Sequence, residues 1–186
     1  MTGTTHFTAG AALGAAAGTL AGQPLVGAII GGVAALLPDV DHPGSYAGRR
    51  LRLLACYLEE KWGHRESPTH TVFFAALAGL AVGTAAAIAL KAFLLVLAGV
   101  LGGVSHIMLD GMTRSGVQPW RVYLPRLPER APAAGKWNAL VSRWEAHRWA
   151  EKRYCWEIKT GQDARETQVF AACLVILAAV LLMSGV

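Results

Sequence analysis

Three long apolar runs limit what this chain can fold into. Residues 70–90, 92–109 and 168–186 are each 18 to 21 residues long and contain no Lys, Arg, Asp or Glu. At about 1.5 Å of rise per residue, helices of this length cross a hydrocarbon core of about 30 Å. Apolar residues make up 54% of the chain and charged residues 16%, which is more apolar than an ordinary soluble domain. We therefore predict an integral membrane protein.

Two shorter apolar segments, residues 7–21 and 24–37, are rich in Ala and Gly. The first places a small residue at every fourth position, at Gly10, Gly14 and Gly18. Such spacing lets helices approach closely, so these segments are predicted to form a tight hairpin inside the bundle. The fold class predicted for residues 1–186 is an all-α, single-domain membrane bundle of about five apolar helices.

Two further stretches have the pattern of amphipathic helices. Residues 46–62 carry one apolar stripe and residues 136–158 another, made of Leu51, Leu54, Leu58 and Trp62 and of Trp137, Leu140, Val141 and Trp144. Nearby basic residues and a bias of tryptophan to the same face indicate helices lying at the headgroup level. The alternative is that the two helices pack on each other as a small cytoplasmic cap.

The basic residues are distributed to one side of the predicted bundle. Of 17 Lys and Arg, 16 lie in residues 38–69 and 110–167, and only Lys91 lies elsewhere. By the positive-inside rule these two regions are cytoplasmic. The N-terminus is then inside and the C-terminus outside.

Five of the six histidines lie in short polar motifs that border the apolar segments. The motifs are THF with His6, LPDVDHP (37–43) with His42, HRESPTH with His64 and His70, and SHIMLD with His106. The predicted topology brings all four to the cytoplasmic face. Histidine together with aspartate is the ligand set of a borderline divalent cation. The predicted cofactor is one or two such ions, zinc before manganese.

The spacing within the motifs suggests individual roles. His106 and Asp110 share a helix face one turn apart, and Thr113 is placed to bond that carboxylate. Asp41 is the preferred ligand or general base. The predicted metal set is His6, Asp39, Asp41, His42, His64, His70, His106 and Asp110, and the predicted catalytic residues are Asp41 and Arg65.

The HRESPTH motif is interpreted as the start of a helix. Ser67 and Pro68 suit the N-cap and first helical position, which would put His70 in the first turn. An N-terminus of this kind, with Arg65 beside it, suits a phosphate. His64 is left open between ligand, supporting group and phosphate contact. A further pair, His147 and Glu151, has helical spacing but is interpreted as a chance match.

The order of His6, LPDVDHP, GHRESPTHT and SHIMLDGMTRSG resembles the YdjM-like family over about residues 6–125. This resemblance implies a LexA-regulated inner-membrane, metal-dependent hydrolase of unknown substrate. HRESPTH has one more residue between Arg65 and Thr69 than the commoner form of that motif. More distantly, the order is similar to zinc-dependent bacterial phospholipase C, in which an HxxxE follows the HxxxD, although a further histidine of those enzymes is absent here.

Two functions remain open from the sequence. The first is a hydrolase that cleaves a phosphoester of a lipid or lipid-linked substrate, with Arg65, Arg114 or Arg49 holding phosphate and membrane lipids as partners. The net charge of +5 also suits nucleic acid, but no nucleic-acid motif is present. The second is a non-catalytic membrane protein with a structural metal, acting in a stress response or as an interaction partner. A transporter is disfavoured because the spans are apolar through their centres.

Overall fold

The computed structural model describes residues 1–186 and confirms the all-α architecture. Eight α-helices follow one another: α1 (Gly3–Thr19), α2 (Pro24–Ala34), α3 (Tyr46–Arg50), α4 (Arg52–Trp62), α5 (Val72–Leu90), α6 (Leu95–Gly111), α7 (Ala134–Glu145) and α8 (Ala164–Met183). Two short 3-10 turns, Pro38–Asp41 and Pro68–His70, follow α2 and precede α5.

Three helical segments are long and apolar enough to cross a membrane, namely Pro24–Asp41, Val72–Leu90 and Ala164–Met183. The helix α6 is a shorter apolar helix of 17 residues, and α1, also of 17 residues, consists mostly of Ala, Gly and Thr. All five predicted apolar segments are therefore helical, and three of them reach the length of a full span. Only 6% of the α8 span is buried against the rest of the protein, which leaves its apolar side chains to lipid.

Glycine contacts hold the bundle together. A Cβ on Gly14 would lie 2.2 Å from the carbonyl oxygen of Gly27, and one on Gly102 would lie 2.2 Å from that of Gly31. The helices α5 and α6 meet in the same way at Gly79 and Gly99. Backbones can approach this closely only where no side chain intervenes. The helix ends that carry the polar motifs are consequently held against each other.

The helix predicted over residues 136–158 is wrong in its second half, because α7 ends at Glu145. Residues 154–158 instead run beside residues 113–117. The N–H of Tyr154 donates to the carbonyl of Val117 at 2.8 Å, and the N–H of Trp156 donates to that of Thr113 at 3.0 Å. This pairing satisfies backbone groups that a helix would have bonded internally. It also holds residues 154–158 against the segment that directly follows α6.

The other amphipathic stretch divides at Leu51 into α3 and α4. It keeps the exposure expected of an interfacial helix, since Leu53 is 91% exposed. The tryptophans that follow α6 and end α7 behave differently. Trp144 packs edge-to-face on Trp149 with 4.9 Å between ring centroids, and Trp120 and Phe73 complete the cluster. This second region therefore packs against Phe73 of α5 and against Trp120.

Candidate metal centre

The last two turns of α6 carry His106 and Asp110, both fully buried. The Nδ1 atom of His106 lies 2.7 Å from the carbonyl oxygen of Ala35. Because a carbonyl only accepts, Nδ1 donates in this contact and Nε2 is left to face the cluster. The predicted bond from Thr113 to the Asp110 carboxylate is wrong, since the Thr113 hydroxyl donates to the main-chain carbonyl of Asp110 at 2.7 Å.

His70 ends the short 3-10 turn that precedes α5. The helix itself begins at Val72, and its N-cap is Thr71 rather than Ser67. The Thr71 hydroxyl accepts a hydrogen bond from the N–H of Phe74 at 3.2 Å. His70 therefore precedes the long helix instead of lying in its first turn. At the N-terminus of this helix, where the sequence suggested a phosphate, the Thr71 hydroxyl already accepts from the N–H of Phe74.

Four donor atoms from three motifs converge at the end of the bundle. The Nε2 atoms of His70 and His106 lie 3.3 Å apart. Asp39 Oδ1 lies 3.4 Å from the first and 3.5 Å from the second, and Asp110 Oδ2 lies 3.5 Å from both. Four tetrahedral ligands with bonds of about 2.0–2.1 Å have edges of about 3.3–3.4 Å. The donor types and spacing therefore fit a tetrahedrally bound divalent cation.

Asp41 lies beside these four donor atoms, and both of its carboxylate oxygens accept hydrogen bonds. Its three donors are His64 Nδ1 at 3.0 Å, Ser67 Oγ at 2.7 Å and the N–H of Arg65 at 3.2 Å. His70 Nδ1 also lies 3.0 Å from Asp41 Oδ2. Asp41 also belongs to a second possible ligand group, with Asp39, His64 and His70. Three hydrogen bonds and the contact with His70 already engage both of its oxygens, so the geometry favours Asp41 as the group that orients the two histidines.

The three aspartates of the cluster act on the pKa of His70, which lies beside all of them. Burial alone would lower the pKa of His70, but hydrogen bonding to Asp110, Asp39 and Asp41 outweighs burial and raises this pKa well above its usual value. A proton and a divalent cation would compete for the same imidazole.

His6 joins the cluster from the first turn of α1. Its ring stacks on that of His106 with 3.8 Å between centroids. The ring is fully buried, and neither of its nitrogens makes a directed hydrogen bond, although Nε2 lies 3.2 Å from Asp110 Oδ1. A buried polar group without a partner costs about 1–3 kcal/mol. His6 thus brings unpaired ring nitrogens to the edge of the cluster, although it belongs to neither possible ligand group.

Arg65 is enclosed by protein contacts. Its backbone lies in the left-handed region at φ 68°. The guanidinium donates to the hydroxyls of Thr113 and Ser115 and lies 3.1 Å from Asp110 Oδ1. Arg65 therefore balances the charge of Asp110. It is only 9% exposed, whereas the predicted contact with a phosphate would need a guanidinium that is open to solvent.

The remaining predicted residues lie at the rim or away from the cluster. The side chains of His64 and His42 are 31% and 47% exposed. His42 belongs to neither possible ligand group and lies 3.0 Å from Glu59. His147 stacks on Trp149, which agrees with a chance match to the HxxxE pattern.

Two contacts of the cluster had no sequence signal. The Ala35 carbonyl is a backbone group, so no residue type reveals it. The amino group of Met1 lies 2.6 Å from Asp110 Oδ1, and only the fold brings the two together. Ser115, which binds Arg65, could have been suspected only from its nearness to Asp110 in the sequence.

Comparisons with known proteins agree with the membrane assignment. The chain is 37% identical over 99 residues to the inner membrane protein YdjM of Escherichia coli (strain K12), and equally to YdjM of Shigella flexneri. Each alignment covers 50% of this chain and 50% of the relative, so the chain spans about half the length of these curated relatives. It is also 34% identical over 120 residues to the uncharacterized protein YvsG of Bacillus subtilis (strain 168), covering 63% of this chain and 71% of YvsG.

No solved structure matches the chain. The family model for the YdjM inner membrane protein matches residues 1–186, the whole of the chain. The order of polar motifs, the apolar helices and this match lead to one conclusion: the chain belongs to the YdjM inner membrane protein family.

Proposed function

We propose that this chain is a membrane-bound metal-dependent hydrolase that acts on a phosphoester of a lipid or lipid-linked substrate at the cytoplasmic face. One observation carries the proposal: histidines and aspartates from four distant motifs gather in a buried cluster at the end of an apolar bundle. Ionisable groups in such surroundings are costly and concentrate at functional sites. In this proposal residues 1–186 act as a single domain.

The residues that would hold the cation are Asp39, His70, His106 and Asp110, with His6 as a further donor. Mixed imidazole and carboxylate ligands with tetrahedral spacing suit zinc best, with manganese as the alternative. When bound, such a cation supplies positive charge that polarises a phosphoryl oxygen and makes nearby water more acidic.

The chain's own residues would handle the proton and the charge. Asp41 holds Nδ1 of His64 at 3.0 Å, which leaves the other ring nitrogen of His64 at the half-exposed rim. We assign proton acceptance from the attacking water to this pair, with Asp41 stabilising the charged imidazole. Arg65 would keep the Asp110 carboxylate in place. The exposed Arg49 and Arg114 are the candidates for holding phosphate.

The substrate class follows from depth and charge. The cluster lies where apolar helices end, which is the depth of lipid headgroups. Sixteen of the 17 basic residues lie in residues 38–69 and 110–167, which contain or border three of the four motifs. This distribution supports a cytoplasmic site and an anionic headgroup as substrate.

A specific observation favours a second candidate, a non-catalytic protein with a structural metal. Four protein donors would complete the tetrahedron, and closed coordination is typical of structural sites, whereas catalytic sites keep a position open. In that case the metal would join three parts of the chain: the end of α2, the loop that precedes α5, and α6. The protein would then act through a partner.

Metal analysis and spectroscopy of detergent-purified protein separate the two candidates. For a hydrolase we expect bound cation, a cobalt(II) spectrum that changes when inorganic phosphate is added, and hydrolysis within a panel of phospholipids and lipid-linked phosphates. Loss of activity in Asp110→Asn but not in His147→Ala would tie hydrolysis to the cluster. A bound metal with a phosphate-insensitive spectrum and no hydrolysis would favour the structural candidate.

A further inference from the structure

The cluster that would hold the cation is nearly sealed. His6, His70, His106 and Asp110 are fully buried or within 1% of it, and Asp39 is the exception, with a side chain 15% exposed. Glycine contacts bring α1, α2 and α6 into backbone contact on the other side of the cluster. Asp39 is therefore the ligand through which the cluster reaches the surface.

Two histidines lie on the exposed side of Asp39, and a ring nitrogen of the first, His64, is within 4.8 Å of the Asp39 carboxylate. The ring of His64 lies 5.1 Å from that of buried His70, and the ring of His42 lies 4.9 Å from that of His64. Side-chain exposure rises along this series, from 0% at His70 through 31% at His64 to 47% at His42. The series is continuous from the surface to the sealed ligands.

Both rim histidines are held in the manner of metal ligands. Nδ1 of His42 lies 3.0 Å from Glu59 Oε1, and Nδ1 of His64 lies 3.0 Å from Asp41 Oδ1. A carboxylate on one ring nitrogen fixes the ring and makes the other nitrogen a better donor to a cation. The carboxylates Glu59, Asp41 and Asp39 also lower the electrostatic potential along the route.

We propose that His42, held by Glu59, and His64 form an outer capture site through which a divalent cation passes to and from the sealed cluster. The inference rests on the metal-binding part of the proposed function and not on hydrolysis. It gives His42 a role that its absence from the ligand groups would otherwise leave open. A group used only in passage changes the rates of binding and release together and leaves the affinity unchanged, because it is absent from both end states.

The test measures cobalt(II) uptake and release by full-length protein in detergent, using the absorbance of the metal and a competing chelator. For His42→Ala we expect both rate constants to fall about tenfold, the order by which neighbouring groups tune metal sites, with Kd constant within about twofold. Glu59→Gln should act in the same direction but less, and it keeps the imidazole if His42→Ala folds poorly. His147→Ala, at another exposed histidine, should change neither rate.

Three outcomes overturn the proposal. Unchanged rates of cobalt(II) uptake and release in both His42→Ala and Glu59→Gln would mean that the cation takes another route. Faster release with weaker affinity would make His42 an equilibrium ligand. Wild-type protein that binds no cobalt(II) or zinc would remove this inference together with the metal-binding part of the proposed function. Failure of hydrolysis alone leaves the rates as expected, since no turnover is measured.

Discussion

Nδ1 of His106 faces the carbonyl oxygen of Ala35 at 2.7 Å, across 71 residues of sequence. This contact turns Nε2 of His106 toward His70 and the two aspartates. His70 is held equivalently, since its Nδ1 lies 3.0 Å from Asp41 Oδ2. Both imidazoles therefore present the same nitrogen to the centre, with a fixed acceptor behind each. Two independent supports for one donor geometry argue for a built metal centre.

Asp110→Asn should weaken metal binding by at least the 10–100-fold typical of losses around a metal site. The amide keeps the shape but removes the charge that attracts the cation, and it leaves Arg65 without its anionic partner. The measurement is a competition titration with a coloured chelator. His147→Ala serves as the matched control, and retention of metal by Asp110→Asn together with its loss from His147→Ala would place the site elsewhere.

Asp41→Asn should weaken metal binding by about 10–100-fold without removing a ligand. An amide has one accepting oxygen where the carboxylate has two, so the groups around it cannot all keep their contacts and the rings of His64 and His70 lose their orientation. The cobalt(II) spectrum should therefore keep its tetrahedral character while the affinity falls. A spectrum that shows a lost ligand would mean that Asp41 coordinates the cation directly.

Gly31→Ala should destabilise the bundle by about 1–3 kcal/mol, the usual cost of overpacking. A Cβ there would lie 2.2 Å from the carbonyl oxygen of Gly10, so α1 and α2 must separate. Metal affinity should fall as well, because His6 is on α1. Thermal unfolding in detergent measures the first effect. Gly135→Ala is the control, since no heavy atom lies within 4 Å of its new Cβ, and an equal loss in both variants would exclude packing as the cause.

Metal affinity should rise with pH. The pKa of His70 is well above its usual value in the metal-free protein, so a cation must displace a proton there. Below that pKa, affinity should increase by about tenfold per pH unit from this one proton. Titrations between pH 6 and 8 in buffers of different ionisation enthalpy measure the proton released. Affinity that is flat across this range would show that His70 is already neutral or is not a ligand.

The charge distribution should set the orientation in the membrane. A reporter fused after Val186 should report the outside, and one inserted near Arg126 should report the cytoplasm. The opposite pattern would move the cluster to the outer leaflet and remove the cytoplasmic substrate from the proposal.

The sequence by itself determined that the chain is an apolar helical bundle with its polar motifs near one end. Hydrophobic length and small-residue spacing are local properties, and a chain that passes back and forth must return alternate helix ends to the same side. This topology was enough to group His6, His70, His106 and Asp110. The resemblance of their motifs to the YdjM family supported the same grouping.

Only the tertiary structure decided which of these groups lie together and what each one contacts. Whether Asp41 binds a cation or orients histidines depends on the direction of single lone pairs, which helix rotation and side-chain conformation set. The Ala35 carbonyl acts through a backbone atom that every residue possesses. The helix predicted over 136–158 failed for a related reason, because its last residues bond to the segment after α6, and a non-local partner of this kind leaves no periodic signal in the sequence.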